Sequence, residues 1–458
     1  MEVIPVSRSR AYKRTDVKEL NLESLRDRAV EFGDAATAVG LDIGKDEIVA
    51  CLRWPHEGFE RPWSICNPTQ INDLMDVLKM LKNTCDSLTV GMESTGTYGE
   101  AVRLALTDGG FEVHRVSSKA TSDYKEIFDG VPSQHDGKDA AIVAELTAFG
   151  KGTPWPYQAD SENLSRVKHQ IARLEAYRNQ QVEWLGRLEG RLARHWPELT
   201  GLLDLGSPTL LQMIAHYQTP ARVAADGEAA MRLARWGGAQ LKPSKISQVI
   251  ESARTTQGIP VDEPQADWLG EIADNALTLL RKIQNADLQV SRLMGAEPVW
   301  SHYTGIGAAT LAAIWAHAGD PRNYSSGGAL LKALGLNLKE RSSGKRKGEL
   351  AITKRGSSQV RRWIYFWALR AIQREELKNW YEEFIRVGRK SPAKSSRDGK
   401  QEHRKMKGVV AVMRKLPRGL RHAMIHGEPF DYAKLFEEPR RRRRRRNRNR
   451  RRPVVSAS

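Results

Sequence analysis

Four carboxylates and a pair of serines are the residues of this chain whose types and spacing could do chemistry. Asp42 closes one apolar run, Thr37-Ala38-Val39-Gly40-Leu41-Asp42-Ile43, and Glu93 closes another, Leu88-Thr89-Val90-Gly91-Met92-Glu93. Asp136 and Asp139 stand at i, i+3 in His135-Asp136-Gly137-Lys138-Asp139, which puts both on one face of a helix start. Clustered carboxylates repel one another and are tolerated when a hard cation neutralises them. Mg2+ is the cation such a set would hold, and two such ions clamp the attacking and leaving oxygens of a phosphoryl transfer. Read singly, each acid is an ordinary turn or cap residue, and Asp136 has the place of an N-cap. The serines, Ser342-Ser343, precede Gly344 among Lys339, Arg341, Lys345, Arg346 and Lys347. A second basic turn follows at Lys354-Arg355-Gly356, then Arg361-Arg362. A hydroxyl on a glycine loop in dense positive charge suits attack on a phosphodiester, with those cations binding nucleic acid. The plainer alternative is a solvated basic loop.

The elements that must position these groups fall into blocks. Residues 1–35 form a polar N-terminal extension with partial helical character at Val17–Phe32. From 36 to 155, apolar strands alternate with helical stretches, which predicts an α/β layer structure. The run from Thr37 to Leu52 reads as a hairpin about a Gly-Lys-Asp turn. Ile71, Leu74, Leu78 and Leu81 have helical spacing, and Phe111–Val116 reads as a further strand. Two heptad segments lie within 156–298. Leu164, Ile171, Leu185 and Leu192 interleave with Val167, Leu174 and Leu188, broken at Arg178 and Gln181; Leu269, Ala276, Ile283 and Val290 interleave with Ile272, Leu279, Ala286 and Leu293. They predict a coiled-coil pair, within the chain or between subunits, or two amphipathic helices on a globular core. About 200–265 is an inserted subdomain. Residues 299–430 open on Gly305-Ile306-Gly307, a glycine hairpin able to offer backbone N–H groups to a phosphate or simply to turn between helices. The aromatic helix Trp363–Val387 reads as core.

Charge is segregated. Residues 1–338 carry 36 Lys and Arg against 43 Asp and Glu, whereas the last 120 carry 37 against 12. The segment 431–458 includes a run with 11 arginines between Arg440 and Arg452, which can bury nothing and is expected to be disordered until it meets a polyanion. Nucleic acid is the expected partner of the basic half. No membrane partner is expected, because no apolar run is long enough to span one, and the N-terminus lacks a signal-peptide pattern. The cysteines Cys51, Cys66 and Cys85 form neither CxxC nor a zinc-ligand spacing and fit a reducing compartment. His422 and His426 stand at i, i+4 without a visible third ligand.

Taken together, Gly40-Leu41-Asp42-Ile43-Gly44-Lys45, Glu93-Ser94-Thr95-Gly96-Thr97-Tyr98 and Asp136-Gly137-Lys138-Asp139-Ala140 at the front are similar to motifs of a known family. So are Gly305-Ile306-Gly307, Gly335-Leu336, Ser342-Ser343-Gly344 and Lys354-Arg355-Gly356 at the back. The chain resembles the DEDD-type insertion-sequence transposases of the IS one-ten family, relatives of the pilin-gene invertases. The resemblance implies a RuvC-like, RNase H-type α/β domain, a helical coiled-coil middle and a mainly α-helical C-terminal transposase domain. It implies a recombinase that cuts and rejoins DNA through a serine-linked intermediate. In register that serine is Ser343, with Ser342 as the substitute. Asp42, Glu93, Asp136 and Asp139 with Mg2+ would assist in the same composite site, supplied by another subunit of a dimer or tetramer. It further implies a structured guide RNA from the element, pairing with target and donor DNA, and a cytoplasmic, nucleoid-associated prokaryotic protein. The long middle insertion and the arginine tail depart from the family pattern. Three other readings stand beside this one: a RuvC-like Mg2+-dependent junction endonuclease, a site-specific DNA invertase without RNA guide, and a non-catalytic nucleic-acid-binding protein.

Overall fold

The computed structural model describes residues 13–93, 96–129, 135–343, 346–387 and 397–436; the side chains of 129, 341–349, 387 and 397–404 are outside it, as is most of the arginine-rich segment. The chain divides into two compact units, Met1–Ala159 and Asp160–Ser458.

The first unit is built on one mixed sheet. Its strands are β1 (Thr15–Asp16), β2 (Ala36–Ile43), β3 (Glu47–Trp54), β4 (Gly58–Phe59), β5 (Trp63–Cys66), β6 (Ser87–Glu93), β7 (Glu112–Val116) and β8 (Thr153–Pro154). They lie in the order β1-β5-β3-β2-β6-β7-β8, with β4 paired to β3. β2, β3 and β5 form an antiparallel meander, and β6 and β7 then run parallel to β2. Parallel neighbours need crossover helices. Here these are α2 (Ile71–Thr84) and α3 (Glu100–Asp108). With α1 (Leu22–Phe32) they cover one face, where Val39, Leu41, Ile43, Ile48, Ala50 and Leu52 meet Leu25, Leu74, Leu78, Leu81, Val102 and Leu106. The other face carries α4 (Ser118–Asp129) and α5 (Asp136–Ala148). Covering on both sides explains why β2 and β3 read as near-continuous apolar runs rather than alternating ones. The stretch before residue 36 is part of this domain from Thr15 on: β1 pairs with β5, and Val17, Leu25 and Ala29 are core residues.

Among the described residues the second unit is helical apart from one hairpin. Two 34-residue helices, α6 (Glu162–His195) and α12 (Glu263–Ala296), form its spine. Val167, Ile171 and Leu174 share a core with Ile283, Ala286 and Val290, whereas Leu188 and Leu192 share another with Leu269, Ile272 and Ala276. The start of each helix therefore meets the end of the other, and the pair is antiparallel within one chain. Between them α7 (Leu199–Leu202), α8 (Pro208–Tyr217), α9 (Pro220–Ala225), α10 (Ala229–Gly237) and α11 (Pro243–Thr255) fold onto one end of the spine. At the other end lie α13 (Ala308–Ala318), α14 (Gly327–Ala333), α15 (Ser358–Ile372), α16 (Glu375–Val387), α17 (Arg397–His426) and α18 (Tyr432–Phe436). The stretch around Gly305-Ile306-Gly307 is a 3-10 turn, Ser301–Ile306, ending at Gly307 with φ 104°, from which α13 starts. Trp363 and Trp367 are core, but Phe366 and Phe384 are exposed. The hairpin is β9 (Leu338–Ser343) with β10 (Arg346–Ile352). Among the described residues no helix is long and apolar enough to cross a membrane.

Candidate active site

The acids of the first unit are brought together by two glycines. Gly40 and Gly91 are register partners on the parallel strands β2 and β6. A Cβ on Gly40 would lie 2.2 Å from the Ala140 carbonyl oxygen and 2.2 Å from the Ala144 nitrogen; one on Gly91 would lie 1.8 Å from Thr147 Oγ1. The missing side chains leave a groove into which α5 settles with its backbone against the sheet. An Arg53–Glu145 ion pair ties the same helix to β3. Side chains two apart on a strand share a face, so Asp42 and Glu93, each two residues past its glycine, point to the α5 side. Asp136 and Asp139 occupy the first turn of α5. That turn is capped by His135, whose Nδ1 accepts from the Gly137 N–H at 3.1 Å. Asp136 is thus the first helical residue and not the cap; its carboxylate is free for other partners, and His135 has the structural role.

The four acids feel one another. The Asp42 carboxyl is pushed from 3.8 up to about 6, first by burial and then by the charges of Asp139, Asp136 and Glu93, against a smaller opposing pull from Lys125. Each of the others already has a partner. The Lys125 ammonium lies 2.8 Å from Asp139, Arg14 reaches Asp136 at 3.3 Å while also pairing with Glu47, and the Thr121 hydroxyl donates to Glu93 at 2.8 Å. Lys138, on the same turn, is fully buried and engaged. Among the described residues no three His, Cys, Asp or Glu side chains are arranged to hold one metal ion. The donor set still suits a hard divalent cation. It is all carboxylate, the charges of the other three raise the proton affinity of Asp42, and Asp139 Oδ1 is buried without a hydrogen bond of its own, though the Lys125 ammonium lies beside it. Asp42, Glu93, Asp136 and Asp139 are the residues that would hold it.

In the second unit Ser343 is the last residue of β9 and pairs with Arg346, the first residue of β10, with two residues between them. Ser342-Ser343 therefore ends a strand instead of lying in an irregular loop; Gly344 and Lys345 fall outside the described residues. The register shifts between Arg346 and Glu349, and nearer the root Leu338 and Leu350 are exposed. Its root is fixed. Gly335 (φ 67°) and Gly356 (φ 115°) pass so closely that a Cβ on either would come within 2.3 Å of a carbonyl of the other segment, Arg355 or Ala333. The Lys354 N–H donates to the Gly335 carbonyl at 3.0 Å, and the Arg361 guanidinium donates to the Gly356 carbonyl at 2.8 Å. Leu336, wholly buried, anchors the start of the hairpin, and its carbonyl accepts from Arg414 at 2.9 Å.

These two assemblies coincide with two matched regions. A model of DEDD-type IS110 transposases matches residues 39–197, which spans the acid-bearing sheet. A second, described as Transposase IS116/IS110/IS902 family, matches residues 301–383, which spans the hairpin and its root. The uncharacterized 44.8 kDa protein of insertion element IS116 from Streptomyces clavuligerus is 23% identical over 345 residues, 72% of this chain and 82% of that protein. The chain belongs to the IS110 family of insertion-sequence transposases.

The basic residues singled out in this transposase are not alike in setting. Lys339, Lys354 and Arg355 are exposed, Lys354 with φ 56°, whereas Arg361 and Arg362 are half-buried on α15. Arg361 is spent on the hairpin root, and Arg362 donates to Asn179 on α6 at 2.8 Å. The side chains of Arg341, Lys345, Arg346 and Lys347 lie outside the described residues. Sequence reasoning missed Arg14, Thr121 and Lys125, the donors that hold the acids. Only Lys125 had a local signal, as a cation on an amphipathic stretch before the Asp136 motif.

Proposed function

We propose that this transposase cuts and rejoins DNA strands through a covalent link to Ser343, with Asp42, Glu93, Asp136 and Asp139 serving the same cleavage. The observation that carries the reading is the pairing of two features in one chain: carboxylates gathered at the ends of β2 and β6 under the start of α5, and a serine at the end of a hairpin strand. The strand order β5-β3-β2-β6-β7, an antiparallel meander extended by parallel strands, supports a RuvC-like, RNase H-type assignment. In the step proposed, Ser343 Oγ forms a new ester to phosphorus as the bond from phosphorus to a sugar oxygen breaks. The serine proton passes to a base, the proposed one being a carboxylate supplied by another subunit, and the leaving sugar takes one up. Rejoining reverses the exchange with a sugar hydroxyl as nucleophile, so phosphodiester energy is conserved and no external energy source is needed. A serine hydroxyl attacks poorly without help. Mg2+, when bound, would supply charge neutralisation of the acids and of the phosphate. Exposed Lys339, Lys354 and Arg355 hold the strand electrostatically.

Guidance by a structured RNA, a homo-oligomeric assembly and target and donor DNA as substrates enter through the family resemblance, and the weight of charge over base-reading motifs agrees with them. The decisive experiment is trapping. Protein incubated with cognate DNA should yield a protease-sensitive adduct that Ser343→Ala abolishes. An adduct surviving in that variant overturns the assignment. A junction endonuclease acting through water is the second reading, because the acids gather within the first unit by themselves; it requires cleavage to persist in Ser343→Ala. RNA co-purified with the protein from cells carrying the flanking DNA should be one defined species, and random fragments would count against guidance.

A further inference from the structure

The heptad pattern of α6 breaks at Arg178, and the reason lies in its surroundings. Arg178 lies over the Trp363 ring with its guanidinium carbon 4.9 Å from the centroid. The ring is fixed from behind: Glu175, buried, accepts from Trp363 Nε1 at 2.8 Å and is 3.0 Å from His317 Nε2. Glu175, Arg178, Gln359, Arg362, Trp363 and Phe366 line a shallow cleft between α6 and α15. Two guanidiniums and the Glu175 carboxyl line it. Arg362 rests on the neutral Asn179 amide. Arg178 has Asp287 at 3.9 Å, too far for a hydrogen bond, and its Nε–H is buried with no acceptor among the described residues. Buried N–H groups without acceptors are rare and call for an explanation. Burial, and the nearby charges of Arg362 and Arg370, hold Arg178 below the ordinary arginine range, against the pull of Asp287. The mouth carries Phe366, a large aromatic ring left exposed.

We propose that this cleft is a phosphodiester-binding site for an unpaired nucleotide, with the phosphate between Arg178 and Arg362 and the base or sugar stacked on Phe366. A phosphate in the cleft meets the solvent-facing part of the Arg178 side chain, its Nε being sealed, and two convergent guanidiniums suit such an anion. A π-face beside them accepts any base, so the site binds strand rather than sequence. The heptad break is then a functional interruption: a leucine at 178 would extend the seam and remove the site.

The inference rests on the nucleic-acid reading above, and its test separates the two. Full-length protein is titrated with a fluorescent single-stranded oligonucleotide over a salt series. Arg178→Gln and Arg362→Gln should each weaken binding about 3- to 10-fold and lower the salt slope by about one. Phe366→Ala should weaken it about 5- to 100-fold with the slope unchanged. Arg362→Lys should restore the slope. With 5-iodouridine in the strand, photo-crosslinks should map to the tryptic peptide Trp363–Arg370 and be lost in Arg178→Gln. Variants that keep wild-type circular dichroism, affinity and slope would overturn the cleft while leaving the nucleic-acid reading intact. A wild-type protein that binds no oligonucleotide would overturn both. Thermal protection of wild type by inorganic phosphate, without any change of oligonucleotide slope in the variants, would show an ion site and overturn the strand proposal.

Discussion

The two units handle charge in opposite ways. In the first, the cations around the site are spent on carboxylates: Arg53 on Glu145, Lys125 on Asp139, Arg14 on Glu47 and Asp136. In the second, Arg178 beside α15 lies near Asp287 and Arg374 just past α15 near Glu376, but four arginines at the hairpin root and on α15 rest on neutral acceptors. Arg361 uses the Gly356 carbonyl, Arg362 Asn179, Arg370 the Thr310 hydroxyl and Arg414 the Leu336 carbonyl. A neutral acceptor positions a guanidinium without cancelling its field. The second unit thus keeps positive charge available for a polyanion. The first carries more negative charge in one place than its own cations offset, and the raised Asp42 carboxyl is the residue. One half is built to receive an anion and the other a cation.

The strongest way to break this comparison is to remove the hydroxyl. Ser343→Ala should lower strand exchange on the order of 10^4-fold, since loss of a nucleophile removes the pathway rather than a contact. Binding of DNA should stay within about twofold, because the cations that supply affinity are untouched. Unequal effects of that size would separate chemistry from charge in the second unit. A parallel loss of binding would mean the serine holds the hairpin together instead. Next in size is the groove under α5. Gly40→Ala places a methyl group on backbone atoms of α5, which cannot rotate away. The helix must lift, at a cost of about 1–3 kcal/mol or more, seen as a lower midpoint in urea. Asp136 and Asp139 move with it, so cleavage should fall even at temperatures where the variant is folded.

How much of this was legible beforehand depends on which kind of interaction placed each residue. The strands bearing Asp42 and Glu93 and the helix bearing Asp136 and Asp139 are announced by local apolar patterning, and all three form where expected. Gly40 and Gly91 were visible as letters, but their purpose is a contact with Ala140, Ala144 and Thr147, some 50 to 100 positions away. Arg14 sits in a stretch with no periodicity, because it joins the sheet through the two-residue strand β1. The long heptads predicted α6 and α12 and left open whether they pair within the chain. The pairing follows from which end of each helix shares a core with which end of the other. The break at Arg178 was legible as an anomaly but not as a cleft, since Trp363 and Phe366 come from α15.

The pH dependence sharpens the comparison in the first unit. Asp42 binds its proton more tightly in the folded protein than in the unfolded chain, where it titrates near 3.8. Between about pH 4 and 6 the folded state therefore holds more protons, and stability falls as pH rises through this window. Above about pH 6 the cost is fully present. Asp42→Asn should accordingly stabilise the metal-free protein by about 1–2 kcal/mol at pH 7.5, after allowance for solvent screening, and by almost nothing at pH 4. Denaturant melts at the two pH values measure this. In Mg2+ the gain should shrink or reverse, because the cation relieves the repulsion that the substitution removes. Equal stabilisation at both pH values would mean that the amide merely packs better, and the cluster would not be electrostatically strained.

The smallest effect concerns the cation that already sits among the acids. Lys125 contacts Asp139 at 2.8 Å, and both side chains are only partly exposed. An ammonium there competes with a divalent ion for the same oxygens. Lys125→Met keeps the aliphatic stem and deletes the charge. The metal-free variant should be less stable than wild type by about 1 kcal/mol, the worth of a half-exposed pair. Its Mg2+ affinity, read by calorimetry, should rise about 3- to 10-fold, since the ion no longer displaces a neighbour. The two shifts have opposite signs, which a general loosening of the fold cannot produce, because a loosened site binds metal worse. If stability and affinity fall together, Lys125 positions Asp139 for the metal instead of standing in for it, and the negative surplus of the first unit is smaller than the Asp42 carboxyl implies.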